Sequence, residues 1–198
     1  MRRFWNINQN LNVIDKWQPG CWVQVTCPTD EDIKWLEEEY EIPDYFISDI
    51  SDTDERARYE FDDGWRLVIL RIPFVKEVQS RTPFTTIPLG FIQKGDVIIT
   101  ICFYENAMMT DFVSYQQKRG VGFTDYVDMI FRLFYSSAAW YLKRLKQISA
   151  RIEKAKKDLD KGVNNESLIS LSRLQDSLTY FITSIRGNEN LLQKSQNA

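Results

Sequence analysis

Carboxylates are the only densely clustered side chains in this sequence with obvious chemistry. Asp49, Asp52, Asp54 and Glu55 crowd one short stretch, and Asp62 and Asp63 follow. Such hard oxygen donors suit Mg²⁺, which keeps several of its waters and needs only one or two carboxylates. Asp49 and Asp52 are therefore candidate metal ligands. The same residues also suit a capped helix end followed by a hairpin turn, where Asp serves the backbone. Other chemistries lack their residues. The 198-residue chain has no His, the commonest general base and transition-metal ligand. Cys21, Cys27 and Cys102 have no paired spacing and sit in strand-like apolar surroundings, so they read as reduced core thiols in a cytosolic environment. Without a Gly-rich phosphate loop or a nucleophile beside a base, no enzyme is expected and no cofactor is firmly implied.

The elements that would carry these acids follow from local signals. Thr29-Asp30-Glu31-Asp32 is a capping box that starts a helix through Ile33, Leu36 and Tyr40, and Pro43 opens a second helix with Tyr45, Phe46, Ile47 and Ile50 as its apolar face. Asp63-Gly64 joins a strand at Tyr59–Asp62 to another at Trp65–Ile72. The unbroken apolar run Leu67 to Leu70 predicts a central strand covered on both faces. A polar loop from Glu77 to Pro83 leads to the hairpin of Thr85–Ile92 and Val97–Phe103, in which Pro88 predicts an edge strand or a bulge. Upstream, Phe4–Ile7 and Leu11–Ile14 read as a short hairpin around Asn8-Gln9-Asn10, and Cys21–Thr26 as a strand. Met108 to Gln117 fits a short helix. With a helical crossover between Val25 and Tyr59, this order predicts an α/β fold, an α/β/α sandwich on a mixed sheet.

Two longer seams follow. Val127, Phe131, Phe134, Ala138, Tyr141, Leu145, Ile148, Ile152, Ala155 and Leu159 alternate at steps of four and three. A helix from about Thr124 to Lys161 would be roughly 57 Å long. After Gly162-Val163-Asn164-Asn165, the rhythm returns in Leu171, Leu174, Leu178, Phe181, Ile185 and Leu192, with Asn188 the polar interruption expected to set register. The pair predicts a long antiparallel helical hairpin. The domain boundary is expected at Arg119–Gly122, giving an α/β sandwich over residues 1–120 and the hairpin over residues 121–198. Lys194–Ala198 carry no apolar pattern.

Charge is unevenly spread. The net value is −3, yet Asp30 to Asp63 alone carries −12, leaving +9 for the remainder. Part of that excess lies on the first long helix between Lys143 and Lys161, and such opposed fields can orient docking of protomers or layers. The acidic half and a sequence pI near 5.2 argue against a nucleic-acid partner. No apolar run follows Met1-Arg2-Arg3 and none reaches bilayer length, so the chain by itself is expected to be soluble and to lack a signal peptide.

Asp44–Ile50, Asp54–Glu60 and Leu67–Pro73, followed by Leu174–Ile182 and Arg186-Gly187-Asn188-Glu189, resemble in wording and order the cytoplasmic domain of CorA-type divalent-cation transporters. The resemblance runs from about Trp22 to Leu192. It implies a Mg²⁺ transporter that assembles as a homopentamer at the cytoplasmic face of the cell membrane, with a stalk helix, two membrane spans and a Gly-Met-Asn motif that this sequence does not contain. It also implies a regulatory Mg²⁺ between protomers. In this sequence the corresponding acid falls near Lys76, which cannot ligate a cation, so Glu77 beside it becomes the candidate ligand. A soluble scaffold that uses the hairpin only for oligomerisation or partner binding is the other class these residues allow. The reading frame beyond Ala198 would separate the two.

Overall fold

The computed structural model describes residues 1–8, 10–77, 80–162 and 165–195. The apolar run is β5 (Trp65–Val75), covered on both faces as expected. Trp65, Leu67 and Ile69 point into one core and Val68, Leu70 and Ile72 into the other. That is the period-two alternation of a strand between two layers. β5 belongs to a seven-stranded sheet with β1 (Arg2–Asn6), β2 (Asn12–Ile14), β3 (Cys21–Thr26), β4 (Arg58–Asp62), β6 (Phe84–Lys94) and β7 (Val97–Cys102). The order is β2-β1-β3-β7-β6-β5-β4. Only β3 and β7 run parallel, so the sheet is mixed.

Two expectations about the sheet need correction. β5 is not central: it lies beside the edge strand β4. β6, which carries Pro88, is an interior strand between β5 and β7. Pro88 is tolerated there because the Arg71 peptide opposite it bonds away from β6, so the proline nitrogen faces the β7 side. β7 has already ended at Cys102, opposite Leu89 in the continued register, so no strand partner awaits a donor from Pro88.

Helices α1 (Asp30–Tyr40) and α2 (Asp44–Ser51) cover one face, with Leu36, Phe46, Ile47 and Ile50 buried against Ile69, Ile92 and Ile101. The capping box of α1 is formed: Thr29 Oγ1 accepts from the Asp32 N–H at 3.2 Å, and Asp32 Oδ2 accepts from the Thr29 N–H at 3.1 Å. Tyr45 departs from the expected apolar face. It is half exposed and donates its hydroxyl to Asp62 at 2.6 Å.

The other face is covered by α3 (Ala107–Arg119), α4 (Tyr126–Lys161) and α5 (Asn165–Ser195). At about 1.5 Å per residue, α4 is roughly 54 Å long. It pairs antiparallel with α5 through Tyr141 against Phe181 and through Ile148 and Leu174. In the first half of α4 the expected seam is on the wrong face. Val127, Phe131 and Ala138 are exposed, and Met129, Leu133, Ser137 and Trp140 are buried instead. The reason is a competing partner: this half packs on the sheet, which occupies a different stripe of the helix from the one that meets α5. Gln9, Val78, Gln79, Val163, Asn164 and residues 196–198, which fall in expected turns and in the terminal tail, lie outside the described residues. Among the described residues, no helix is long and apolar enough to cross a membrane.

Candidate functional site

The expected carboxylates are placed by α2, by the turn after it and by the two ends of β5. Arg58, at the start of β4, lies beside the C-terminus of α2 and gathers three of the neighbouring acids. Its Nη2 donates to Asp49 Oδ2 at 2.5 Å, its Nη1 lies 2.6 Å from Glu55 Oε1, and its Nε donates to Glu60 Oε2 at 3.1 Å. Burial works against the Arg58 charge, but the bonds to Asp49 and Glu60 and the charge of Glu55 hold its pKa above the ordinary value. Asp49 is thus already neutralised by a protein cation. Asp52 caps α2 and accepts from the Asp54 N–H at 2.9 Å, leaving its carboxylate exposed. Glu77 is exposed past the far end of β5, where its carbonyl accepts from the N–H and hydroxyl of Ser80.

These three residues are not brought together. Arg58 pairs with Ile69 on β5, and the remaining strand to Val75 already spans about 20 Å. Among the described residues, no group of three or more His, Cys, Asp or Glu is arranged to hold a metal ion. What the chain offers is single exposed carboxylates. Those suit a Mg²⁺ ion that keeps most of its water or shares ligands with a second copy.

A second constellation joins the sheet to the hairpin. β4 stops at Arg58, opposite Ile69, so the peptide of Arg71 has no strand on that side. The Asn188 side chain from α5 fills the gap. Its Oδ1 accepts from the Arg71 N–H at 2.9 Å and its Nδ2 donates to the Arg71 carbonyl at 2.7 Å. An amide side chain thereby replaces a missing strand. The same carbonyl accepts from the Tyr141 hydroxyl at 3.1 Å and from Ser137 at 3.4 Å. The Arg71 side chain, only 6% exposed, donates to the carbonyls of Thr53 at 2.7 Å, Glu55 at 3.0 Å and Thr86 at 2.7 Å, and to Thr86 Oγ1. Thr86 Oγ1 is in turn 2.7 Å from Ser184 Oγ on α5. Burial pushes the Arg71 pKa down, and among the described residues no carboxylate lies within ion-pair distance of it. Asn188 does occupy a seam position, as expected, but its partner is a strand and not the facing helix. The signal for this junction was an Arg inside the apolar run of β5 and an Asn inside an apolar seam.

With this geometry, the chain matches a protein-family model described as CorA-like Mg²⁺ transporter protein over residues 17–197. Its fold is similar to the complete structure of the CorA magnesium transporter from Methanocaldococcus jannaschii, at 18% identity and a TM-score of 0.85, covering 100% of this chain and 63% of that one. It is also similar to the soluble domain of CorA from that organism, at 19% identity and a TM-score of 0.80, covering 97% of this chain and 77% of the other. The ZntB cytoplasmic domain from Vibrio parahaemolyticus matches at 12% identity and a TM-score of 0.71, with 97% and 77% covered. The chain therefore spans less than two thirds of the complete transporter it resembles. No curated protein gives a significant sequence match.

Proposed function

The chain belongs to the CorA-like Mg²⁺ transporter family, and from that premise we infer that it acts as the cytoplasmic domain of a divalent-cation transporter. In this reading Mg²⁺ or a related divalent cation is the transported substrate, and the pore lies in membrane-spanning segments outside the described residues. The domain supports assembly of a homopentamer and couples cation level to the packing of its protomers. Metal binding favours one packing over another, a population shift and not a chemical step.

The observation that supports this reading best is how charge and apolar surface divide between the layers. The acidic α1 and α2 lie on one side of the sheet and the hairpin, with its basic stretch between Lys143 and Lys161, on the other. Opposed fields held apart in one copy are free to attract between copies. Phe131, Ala138 and Leu142 add an apolar stripe along α4 that α5 leaves uncovered. Burying such a stripe is favourable in proportion to its area. Glu77 and Asp52, at opposite ends of β5, are each proposed as a separate carboxylate ligand for a regulatory Mg²⁺, completed by waters or by ligands from a neighbouring copy. Asp49 would join them only by giving up Arg58.

Light scattering at matched ionic strength, in excess Mg²⁺ and then in excess chelator, tests this. A reversible rise in mass with Mg²⁺ is expected, weakened in E77Q and D52N. An oligomer whose mass ignores the cation would instead favour a static scaffold, and the sensing role would be abandoned.

A further inference from the structure

Tyr180, Thr183, Arg186, Asn190 and Lys194 share one face of α5, and that face forms one wall of a groove of about 600 Å³. The turn from Asp54 to Ala57 forms the other wall, and Arg71 contributes to the lining. The walls stand close because Gly187 faces Ala57: a Cβ added there would lie 3.4 Å from the Ala57 Cβ.

The groove is cationic. Arg56, Arg186 and Lys194 are exposed, and among the described residues none of the three is within ion-pair distance of a carboxylate. Arg71 adds a buried charge whose donors all end on neutral oxygens. Of the two acids in the lining, Glu55 is already committed to Arg58, and the charge of Asp54 is partly offset by the buried Arg71. A concave surface with one sign of charge in excess focuses its field on a ligand of the other sign. Guanidinium forks match phosphate oxygens two at a time, and a lysine ammonium adds a point charge. The Tyr180 ring, 45% exposed, offers a flat apolar face about 21 Å along the helix from Lys194. That is room for an extended ligand with an anionic chain at one end and a planar ring at the other.

We propose that this groove binds a nucleoside triphosphate, with its phosphate chain on Arg56, Arg186 and Lys194 and its base against Tyr180. The assignment goes beyond the transport reading and does not depend on it.

Isothermal titration of the whole chain with ATP, and separately with inorganic tripolyphosphate, both in Mg²⁺-free buffer, tests the site. ATP is expected to bind saturably and more tightly than tripolyphosphate. R56Q and R186Q should each weaken ATP about tenfold, the loss expected for a charge-assisted contact. D54N should tighten it a few-fold by removing a negative charge from the lining, and Y180A should abolish the advantage of ATP over tripolyphosphate. These side chains are exposed, so thermal unfolding of the variants should match the parent. Absence of saturable ATP binding up to about 5 mM, a Kd weaker than any built site should show, would overturn the proposal. Binding that ignores both Arg substitutions, or that is equal for ATP and tripolyphosphate, would overturn it as well.

Discussion

Near the sheet, α4 and α5 are held by a third layer of side chains and by directional bonds. Met129, Leu133, Trp140 and Leu191 share a core with β5 and β6. Asn188 completes the β5 edge, Ser184 meets Thr86, and Ser177 accepts from the Phe84 N–H at 3.2 Å. Further along, Ile148 and Leu174 reach the sheet only at Phe84, with Val75 beside it, and Ala155 is buried on α4 beyond them. The two ends share one heptad rhythm, yet they are secured differently. Apolar burial is favourable but non-directional, so the far end resists separation more than it resists sliding. The buried polar bonds at the near end accept only one register, because an unpaired group there carries a full desolvation cost.

Leucines buried to the same degree allow the largest test. Leu133, under the sheet with β5 and β6, and Leu174, in the hairpin cluster that meets the sheet only at Phe84 and Val75, are each 2% exposed. We expect Leu133→Ala to cost about 4 kcal/mol and Leu174→Ala about 2 kcal/mol, because two helices that touch the sheet only at Phe84 and Val75 close a cavity more easily than fully packed layers do. Chemical denaturation would measure both, and equal costs would break the contrast. Asn188→Ala comes next, at about 2–3 kcal/mol, since it leaves the buried Arg71 N–H without an acceptor. Hydrogen exchange should speed up at Arg71 itself, whereas a merely apolar role for position 188 would leave that amide protected.

The smallest expected effect is electrostatic. Arg132, near the start of α4, bonds Asp128 at 2.7 and 2.8 Å. Burial raises the Asp128 pKa, but Arg132 and the Thr124 N–H outweigh it and hold the carboxyl below its ordinary value. A depressed folded-state value means that the contribution is complete above the unfolded pKa and is lost as pH falls through the folded one. The parent should therefore lose up to about 1 kcal/mol more than Asp128→Asn on acidification below pH ~4. At the other end of α4, Asp158→Asn, which removes the exposed ion pair with Lys161, should change stability little at neutral pH.

Much of the candidate metal patch was legible as residue types, but not as a site. Asp49, Asp52 and Glu77 were visible as acids. That Arg58 would claim Asp49, and that Glu77 would fall well away from the other two, depended on strand register. Glycine shows the same limit. Gly122 looks like an ordinary joint residue, but a Cβ there would collide with the backbone carbonyls of Ile7 and Asn8. Nothing around Gly122 in the chain announces a neighbour so distant in sequence.

The sequence by itself determined features whose causes lie within a few residues. Asp63 and Gly64, at φ 45° and 80°, form the left-handed pair that a tight hairpin requires. The Thr29 capping box and the helical rhythm of α5 are of the same local kind, decided by contacts one turn away. Only the tertiary structure decided which stripe of α4 would be buried, why a proline could enter an interior strand, and that Asn188 would stand in for a strand beside Arg71. The partners in that last contact are 117 positions apart. The contact exists because the sheet and the hairpin present fitting surfaces to each other, a match that no short stretch of the chain encodes.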